Sequence, residues 1–517
     1  MSRLLKSSGA VGAATLISRL LGFVRESVYA GFMAVGPVAD AFYFAYSIPN
    51  LFRRLLGEGA LTAAFIPIFK EQEKTAGEKA MWDSACAVLS ALILLCGGLV
   101  LMVLVLFSGI LATLTLGPQT SLILHLMRAM FPYLLFVCVA AVFIGILNAR
   151  GHFFMPALGA AVLNVVMIGS VFLIAPRFGS QLEHQVFGLA LGVLLAGFFQ
   201  AAFQYPTLRR EGFRFRWVNP FGNPTVIRVI RRMAPATLGV AAYQFNVVLT
   251  QSIAVHEAGN IVSAFNYAVR LMELPQGVVG VSLATYLLSE LSGLAAEQKW
   301  ADFQLVLREG LLQLLFINTL AMVVLVALAQ PMVRLLFEHG KFDAQDTRLT
   351  AQALWGLAPG LLAFSLNNIF ARAFYALGDT KTPTQISMAC LVTNLVLAFF
   401  LIPGMHQAGM GLANTLSGVM NTVLLIVALR RKLPLFSFEG MGKVLICLAV
   451  SGCLAGAVAW AWNAFMEQTF GVQGFWVRSS SVFGAIGVAG TLYMGLCLWG
   501  GITPARDLFR LFQRHSK

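Results

Sequence analysis

Long apolar runs separated by short polar connections follow one another from one end of the chain to the other. Each run is close to the roughly 20 residues that a helix needs to cross the hydrocarbon core of a bilayer. The pattern therefore predicts an all-α polytopic membrane protein, because no soluble domain of useful size fits between the runs. The predicted spans, about fourteen, lie near 9–34, 38–69, 80–113, 120–149, 156–176, 185–206, 225–254, 260–291, 303–330, 347–377, 383–403, 407–430, 442–465 and 480–501.

The connections differ sharply in their content of Lys and Arg. With the N-terminus in the cytoplasm, the cytoplasmic side holds Lys70, Lys74, Lys79, Arg150, Arg209, Arg210, Arg214, Arg216, Arg228, Arg231, Arg232, Lys299, Lys381, Arg430, Arg431, Lys432, Arg506, Arg510, Arg514 and Lys517. The opposite side keeps Arg177, Arg334, Lys341, Arg348 and Arg478. Because cytoplasmic loops are enriched in Lys and Arg, we expect an even number of spans with both termini in the cytoplasm.

An internal repeat appears when the second predicted span is laid over the eighth, at a shift of 223 positions. The matched pairs are Ala41 with Ala264, Phe42 with Phe265, Ala45 with Ala268, Gly57 with Gly280, and Thr62 with Thr285. Since a repeat of six spans enters the membrane in one direction, the two lobes are predicted to be parallel, with the site between them. The predicted domains are an N-lobe at 1–210, a C-lobe at 211–435, and two further helices with a cytoplasmic tail at 436–517.

Composition narrows the class of protein further. Hydrophobic residues make up 58% of the chain and charged residues only 11%, whereas soluble domains carry roughly a quarter charged residues. The net charge of +14 lies mostly in short connections, which indicates membrane topology rather than a nucleic-acid partner. All seven cysteines fall in apolar runs, which predicts small core residues and no metal site. Without a phosphate-binding loop or a Ser/His/Asp set, we expect a transporter with no cofactor rather than an enzyme.

Ionisable residues at membrane depth are the candidates for function. The basic ones are Arg19, Arg25, Arg53, Arg54, Arg128, Arg270 and Arg372, and the acids are Glu26, Asp40, Glu58 and Glu273. An ionised side chain in hydrocarbon costs about 2.5 kcal/mol or more, so such residues face a bundle interior or a wet cavity. A planar guanidinium binds two phosphate oxygens at once and stays charged when desolvated. The arginines therefore favour an anionic substrate, and a pyrophosphate above a sugar alone.

Internal salt bridges are an equally open interpretation for several of these residues. Arg54 and Glu58 stand at i,i+4, and Arg270 and Glu273 at i,i+3, which are spacings that bring side chains together on a helix. Arg25 beside Glu26 is a further candidate pair, although adjacent residues on a helix point apart. Arg19 and Arg25 are six residues apart, about 600° of helical rotation, and so lie on different faces of a straight helix. Because Gly22 lies between them, a bend or unwound turn there would aim both guanidiniums inward.

Five segments carry a resemblance to a known family. They are S-R-L-L-G-F-V-R-E at Ser18 to Glu26, A-D-A-F at Ala39 to Phe42, P-N-L-F-R-R-L-L-G-E-G-A at Pro49 to Ala60, A-F-N-Y-A-V-R-L-M-E-L-P at Ala264 to Pro275, and Y-A-L-G-D-T-K-T-P at Tyr375 to Pro383. Together they resemble the MurJ/MviN family of lipid II flippases, and the similarity extends over nearly the whole chain.

The resemblance implies a MOP-superfamily fold of fourteen helices in the bacterial inner membrane. Its substrate would be lipid II, undecaprenyl-pyrophosphate-MurNAc(pentapeptide)-GlcNAc, moved from the cytoplasmic to the periplasmic leaflet by alternating access for cell-wall synthesis. The family's cavity arginines match Arg19, Arg25 and Arg270, and its final two helices are thought to hold the polyprenyl tail. The further cavity and gating candidates are Glu26, Asp40, Asn50, Arg53, Arg54, Glu58, Ser263 and Glu273.

Several alternatives stay open on the sequence alone. One is another exporter of the same superfamily, carrying a lipid-linked oligosaccharide or a drug. Another is a membrane scaffold for cell-wall synthases that transports nothing, and such synthases are also candidate partners of a flippase. Some family members bind sodium with acids in the C-terminal half. Here Asp346 and Asp379 are predicted at helix ends, which disfavours a sodium site and leaves coupling to membrane potential or a monovalent ion undecided.

Overall fold

A computed structural model describes residues 3–57, 60–257, 259–277, 281–433 and 441–515. The regular structure in these ranges is helical. The chain divides into two compact units, Met1–Val255 and His256–Lys517. The predicted three-part division, with boundaries after residues 210 and 435, stays a prediction.

The first unit packs around α3, α5 and α7. Phe65 and Phe69 of α3 and Phe143 of α5 are buried in its core, and Phe131 lies between α4 and α5. The helices of this unit are α1 (Arg3–Met33), α2 (Pro37–Leu56), α3 (Ala60–Thr113), α4 (Pro118–Met130), α5 (Tyr133–Ala149), α6 (Phe154–Leu173), α7 (Leu182–Arg210) and α8 (Pro224–His256), the last of which ends one residue inside the second unit.

The second unit packs around α11, α14 and the paired helices α16 and α17. Phe303 and Leu314 of α11 and Phe370 of α14 are buried there, and the Tyr493 hydroxyl donates to the Phe316 carbonyl at 2.7 Å. Its helices are α9 (Ile261–Pro275), α10 (Val281–Ala296), α11 (Trp300–Ala327), α12 (Ala329–Phe337), α13 (Ala344–Leu357), α14 (Gly360–Ala376), α15 (Lys381–Lys432), α16 (Met441–Phe470), α17 (Phe475–Trp499) and α18 (Thr503–His515).

Within the described ranges, each predicted span falls mainly on helix, although the boundaries between spans differ. Two predicted spans fall within α15, which contains a non-helical residue at His406, and α3 is interrupted at Gly77. By length and apolarity alone, eight helical stretches in the described part of the chain could cross a bilayer, or nine if the bent pair α13–α14 is one span. The count of fourteen is therefore not confirmed.

Two glycines let α13 and α15 pack backbone to backbone. A Cβ added at Gly411 of α15 would lie 2.6 Å from the Ala353 carbonyl oxygen, and one added at Gly356 of α13 would lie 2.3 Å from the Ala408 oxygen. Membrane helices use such small residues to approach closely, because lipid offers no hydrophobic drive for their association.

Ion pairs fasten the hairpin of α16 and α17 to the rest of the second unit. Arg334 of α12 contacts Glu467 of α16 at 2.5 Å, and Arg478 of α17 contacts Glu338, which follows α12, at 2.9 Å. Arg334 and Arg478 are two of the few basic residues predicted on the side opposite the cytoplasm. Each forms a structural ion pair, while its location on that side stays a prediction.

The prediction that all cysteines are core residues is wrong for Cys453, which is exposed on α16, while Cys447 is only partly buried. The other five are buried. An apolar residue on a membrane helix can face either the lipid or the protein core, because both surroundings are apolar. An apolar run therefore does not predict burial.

An ion-pair cluster joins α3 to the connections that follow α5 and α7. Arg150 contacts Glu211 at 2.9 Å and Glu73 at 2.7 Å, and His152 contacts the other oxygen of Glu211 at 2.8 Å. Hydrogen bonds from His152 and then from Arg150 hold the pKa of Glu211 below its ordinary value. The cluster thus favours the ionised carboxylate in the folded state.

We expect the Glu211 contacts to stabilise the protein only when the carboxylate is ionised. The pKa of Glu211 is lower in the folded protein than in the unfolded chain, where it is about 4.3. The contribution of these contacts to the free energy of unfolding is therefore complete above the unfolded pKa and is lost as pH falls through the folded pKa. Glu211→Gln should lower the free energy of unfolding near neutral pH by about 1 kcal/mol or less. Thermal unfolding at several pH values checks this, with Glu183→Gln, an exposed position on α7, as control. Parallel curves for Glu211→Gln and wild type would contradict it.

Candidate functional site

Arg25 and Glu26 form an ion pair inside the first unit. The Arg25 side chain is 11% exposed and that of Glu26 only 2%. Nη1 of Arg25 also donates to Asn164 Oδ1 on α6 at 3.0 Å, and the Tyr43 hydroxyl of α2 donates to Glu26 Oε2 at 2.8 Å. Two membrane helices, α2 and α6, therefore hold the charged pair of α1, and each charge is compensated where it is buried.

Gly22 lies within a continuous helix over residues 3–33. The chain is therefore not unwound at Gly22, and a bend there stays a prediction. A Cβ at Gly22 would lie 3.7 Å from Asn164 Nδ2, and that amide donates to the Ser18 carbonyl at 3.2 Å. Asn164 of α6 therefore packs beside Gly22, at a distance that a Cβ would also allow. Arg19 is exposed while Arg25 faces α6, as the predicted difference of helical face requires.

The remaining candidates of this unit lie on α2 or directly after it. Asp40 is 1% exposed in the first turn of α2, where a helix N-terminus favours negative charge. Arg53 donates from Nε to Asn50 Oδ1 at 2.9 Å. Nε of Arg54 is buried with no hydrogen-bond partner among the described residues. Glu58, the predicted partner of Arg54, lies outside the residues that the structure describes.

In the second unit, Arg270 and Glu273 form the predicted ion pair. Nη1 of Arg270 lies 2.7 Å from Glu273 Oε2, and their side chains are 36% and 50% exposed. Ser263, two turns earlier on α9, is fully buried. Since Arg19 and Arg25 belong to one unit and Arg270 to the other, their proposed convergence on one ligand stays a prediction.

The two acids considered for sodium cap helices instead. Asp346 completes a capping box with Asp343 at the start of α13. Asp379 accepts from the backbone N–H of Lys381 and Thr382, each at 3.0 Å, and pairs with Lys432. The hydrogen bond from Lys432 is the main cause that lowers the pKa of Asp379.

Sequence reasoning missed the residues that support the charged pair. Asn164 and Tyr43 sit within apolar runs, and neither has a charge to draw attention at membrane depth. One feature of the sequence could have indicated Asn164. A carboxamide in a spanning helix needs a hydrogen-bond partner within the helix bundle.

A helical chain rich in apolar spans, with an ion pair buried among its helices, belongs to the class of polytopic membrane proteins. Two solved structures agree on the fold. One, described as "Lipid II flippase MurJ, inward closed conformation", has a TM-score of 0.78 and 21% identity over 96% of this chain and 99% of that one. The other, an inward-facing multidrug resistance MATE family transporter of the MOP superfamily, has a TM-score of 0.67 and 15% identity, covering 83% and 99%. The predicted all-α MOP fold is confirmed.

Sequence comparison then gives the family. A family model described as "Lipid II flippase MurJ" matches residues 29–480. A probable lipid II flippase MurJ of Rhizobium tropici is 34% identical over 88% of this chain and 86% of its own length. The lipid II flippase MurJ of Burkholderia cenocepacia is 33% identical over 82% and 83%. The chain belongs to the MurJ family, which confirms the resemblance.

Proposed function

We propose that this chain is a lipid II flippase that carries its substrate from the cytoplasmic to the periplasmic leaflet of the inner membrane by alternating access. The family match over residues 29–480 carries the proposal. Both termini are taken to be cytoplasmic, as the Lys and Arg distribution predicts. Coupling to membrane potential or a monovalent ion, and association with cell-wall synthases, stay predictions.

Arg19, Arg25 and Arg270 are proposed to bind the pyrophosphate of lipid II. Arg19 is exposed and Arg270 is 36% exposed, so neither guanidinium is buried within its own unit. Arg25 already has Glu26 as its counter-ion, and a phosphate oxygen would join or replace that carboxylate. Asp40, Glu58 and Glu273 would release or rebalance these arginines as the two lobes move, while Glu26 is assigned to the cavity and gating set.

Alanine at Arg19, Arg25 or Arg270 is expected to abolish growth of a flippase-depleted cell that depends on the variant. The charge that binds the pyrophosphate is lost, while Arg19→Ala and Arg270→Ala, at positions that are not buried, should remain in the membrane. Arg25→Ala also leaves Glu26 without its buried counter-ion, so its membrane abundance should fall as well. Growth, membrane abundance and leaflet-resolved lipid II should be measured together, with Arg177→Ala in an exposed connection as the control. Lipid II should accumulate in the cytoplasmic leaflet. Normal growth of all three variants would defeat the assignment.

The same measurements test the other candidate functions. A scaffold that transports nothing would tolerate loss of these charges. An exporter of another lipid-linked oligosaccharide would leave the distribution of lipid II between leaflets unchanged on depletion.

A further inference from the structure

A cavity of about 180 Å³ lies within the first unit, among α2, α3, α5 and α7. This volume holds several water-sized groups, since roughly 10–15 Å³ accommodates one water. It is smaller than the roughly 300 Å³ at which sites for whole drug-sized ligands begin. The cavity therefore fits a substituent of a large molecule rather than the entire headgroup of a lipid-linked saccharide.

The polar lining comes mainly from Arg53, Asn148 and Gln200. Gln200 of α7 is 7% exposed, and its Oε1 has no hydrogen-bond partner among the residues that the structure describes. A buried carbonyl oxygen without a donor costs free energy, and it is satisfied only by an N–H or O–H group. A bare inorganic anion has no such donor, so the cavity calls for a ligand with an N–H or O–H.

The remaining lining is apolar except for the Thr62 hydroxyl. Val137, Ala141 and Ile144, one helical turn or less apart on α5, form an aliphatic wall of the cavity. A group that fits must therefore combine a donor for Gln200, an acceptor for the N–H groups of Asn148 or Arg53, and a small apolar part. A secondary amide that bears a methyl group has all three features.

We infer that this cavity is a subsite for a methyl-bearing secondary amide of the substrate headgroup, an inference that rests on the proposed function. Its N–H donates to Gln200 Oε1, its carbonyl accepts from Asn148 or Arg53, and its methyl group packs on Val137 and Ala141. Lipid II has two sources of this chemistry: the acetamido groups of its sugars and the alanyl amides of its peptide stem.

Binding of lipid II to the full-length protein in nanodiscs tests the inference. Gln200→Met keeps the length of the side chain and removes the carboxamide, and it is expected to weaken lipid II binding about tenfold, the size of one or two lost hydrogen bonds. Undecaprenyl pyrophosphate, which has neither sugar nor peptide, should bind wild type and variant equally. Asn148→Leu, on a different helix, should act in the same direction.

Gln204→Met is the matched control. Gln204 lies one turn further along α7 and is fully buried, and its Oε1 likewise has no partner in the described part of the chain, but it does not line the cavity. It should leave lipid II affinity unchanged. Melting temperatures of the variants must match, so that lost binding is not lost folding.

Two lipid II analogues distinguish the sources. If an acetamido group occupies the cavity, de-N-acetylated lipid II should bind wild type about tenfold more weakly, and Gln200→Met should weaken its binding no further. If the peptide stem occupies the cavity, lipid II with a shortened peptide should give these two results instead. Unchanged affinity of Gln200→Met for lipid II, with wild type still binding lipid II tightly, would mean a cavity filled by water alone and overturn the inference. Failure of wild type to bind lipid II at all would instead defeat the proposed function.

Discussion

Replacing Glu26 by glutamine is expected to remove most of the folded protein from the membrane and to abolish flippase function. Glu26 is 2% exposed and accepts hydrogen bonds from Arg25 and Tyr43. Removing one partner of a buried ion pair leaves the other charge uncompensated, at a cost of about 3–5 kcal/mol. That is a large part of the roughly 5–15 kcal/mol by which proteins are stable. Membrane abundance and thermal unfolding in detergent measure the loss.

The double variant Arg25→Met with Glu26→Leu separates folding from transport. Replacing a buried pair by apolar residues of similar volume is often tolerated, so the double variant should melt closer to wild type than Glu26→Gln does. It should still fail to support growth, because the proposed phosphate-binding guanidinium is gone. Glu71→Gln, which breaks an exposed pair with Arg228, is the control and should change little. Growth of cells with the double variant would assign Arg25 a structural role only.

Alanine at Gly411 is expected to give the second large effect. Its Cβ would lie 2.6 Å from the Ala353 carbonyl oxygen and 2.7 Å from the Leu357 nitrogen. Both are backbone atoms that no rotamer change can move, so α13 and α15 must separate. Overpacking costs about 1–3 kcal/mol, and more when backbone must shift.

Gly404→Ala is the matched control on the same helix, since nothing lies within 4 Å of a Cβ at that position. Helix propensity alone would make either substitution slightly stabilising. A lower melting temperature for Gly411→Ala and an unchanged or higher one for Gly404→Ala are therefore expected. Equal melting temperatures would show that the two helices are not in close contact in the membrane.

The fold was largely predictable because bilayer thickness imposes its length on each apolar run. Composition could not predict where one helix continues into the next. Helix α3 contains the end of one predicted span and the whole of the next, with Gly77 between them. Composition also could not predict which side chains are buried. Cys497 in the core and Cys453 on the surface both lie in apolar runs, which look the same in the sequence.

The candidate site was predictable where it depends on charge. Arg25, Glu26, Arg270 and Glu273 stand out because ionised groups are rare at membrane depth, and helical spacing correctly paired the latter two. Adjacent residues point apart on an ideal helix, so the pairing of Arg25 with Glu26 was not evident. Neutral partners such as Asn164 depend on contacts between helices distant in sequence, which local patterns do not specify.

The attachment of α16 and α17 limits how that hairpin can be exchanged. Glu467 and Arg478 need Arg334 and Glu338 as partners, and Gly456 makes room for Val323 of α11. A chimera that imports the terminal hairpin of a relative must therefore import matching residues near α12 and on α11 as well. Without them, two charges on each side of the junction would lose their counter-ions, and the graft would fail for reasons unrelated to the cargo it contacts.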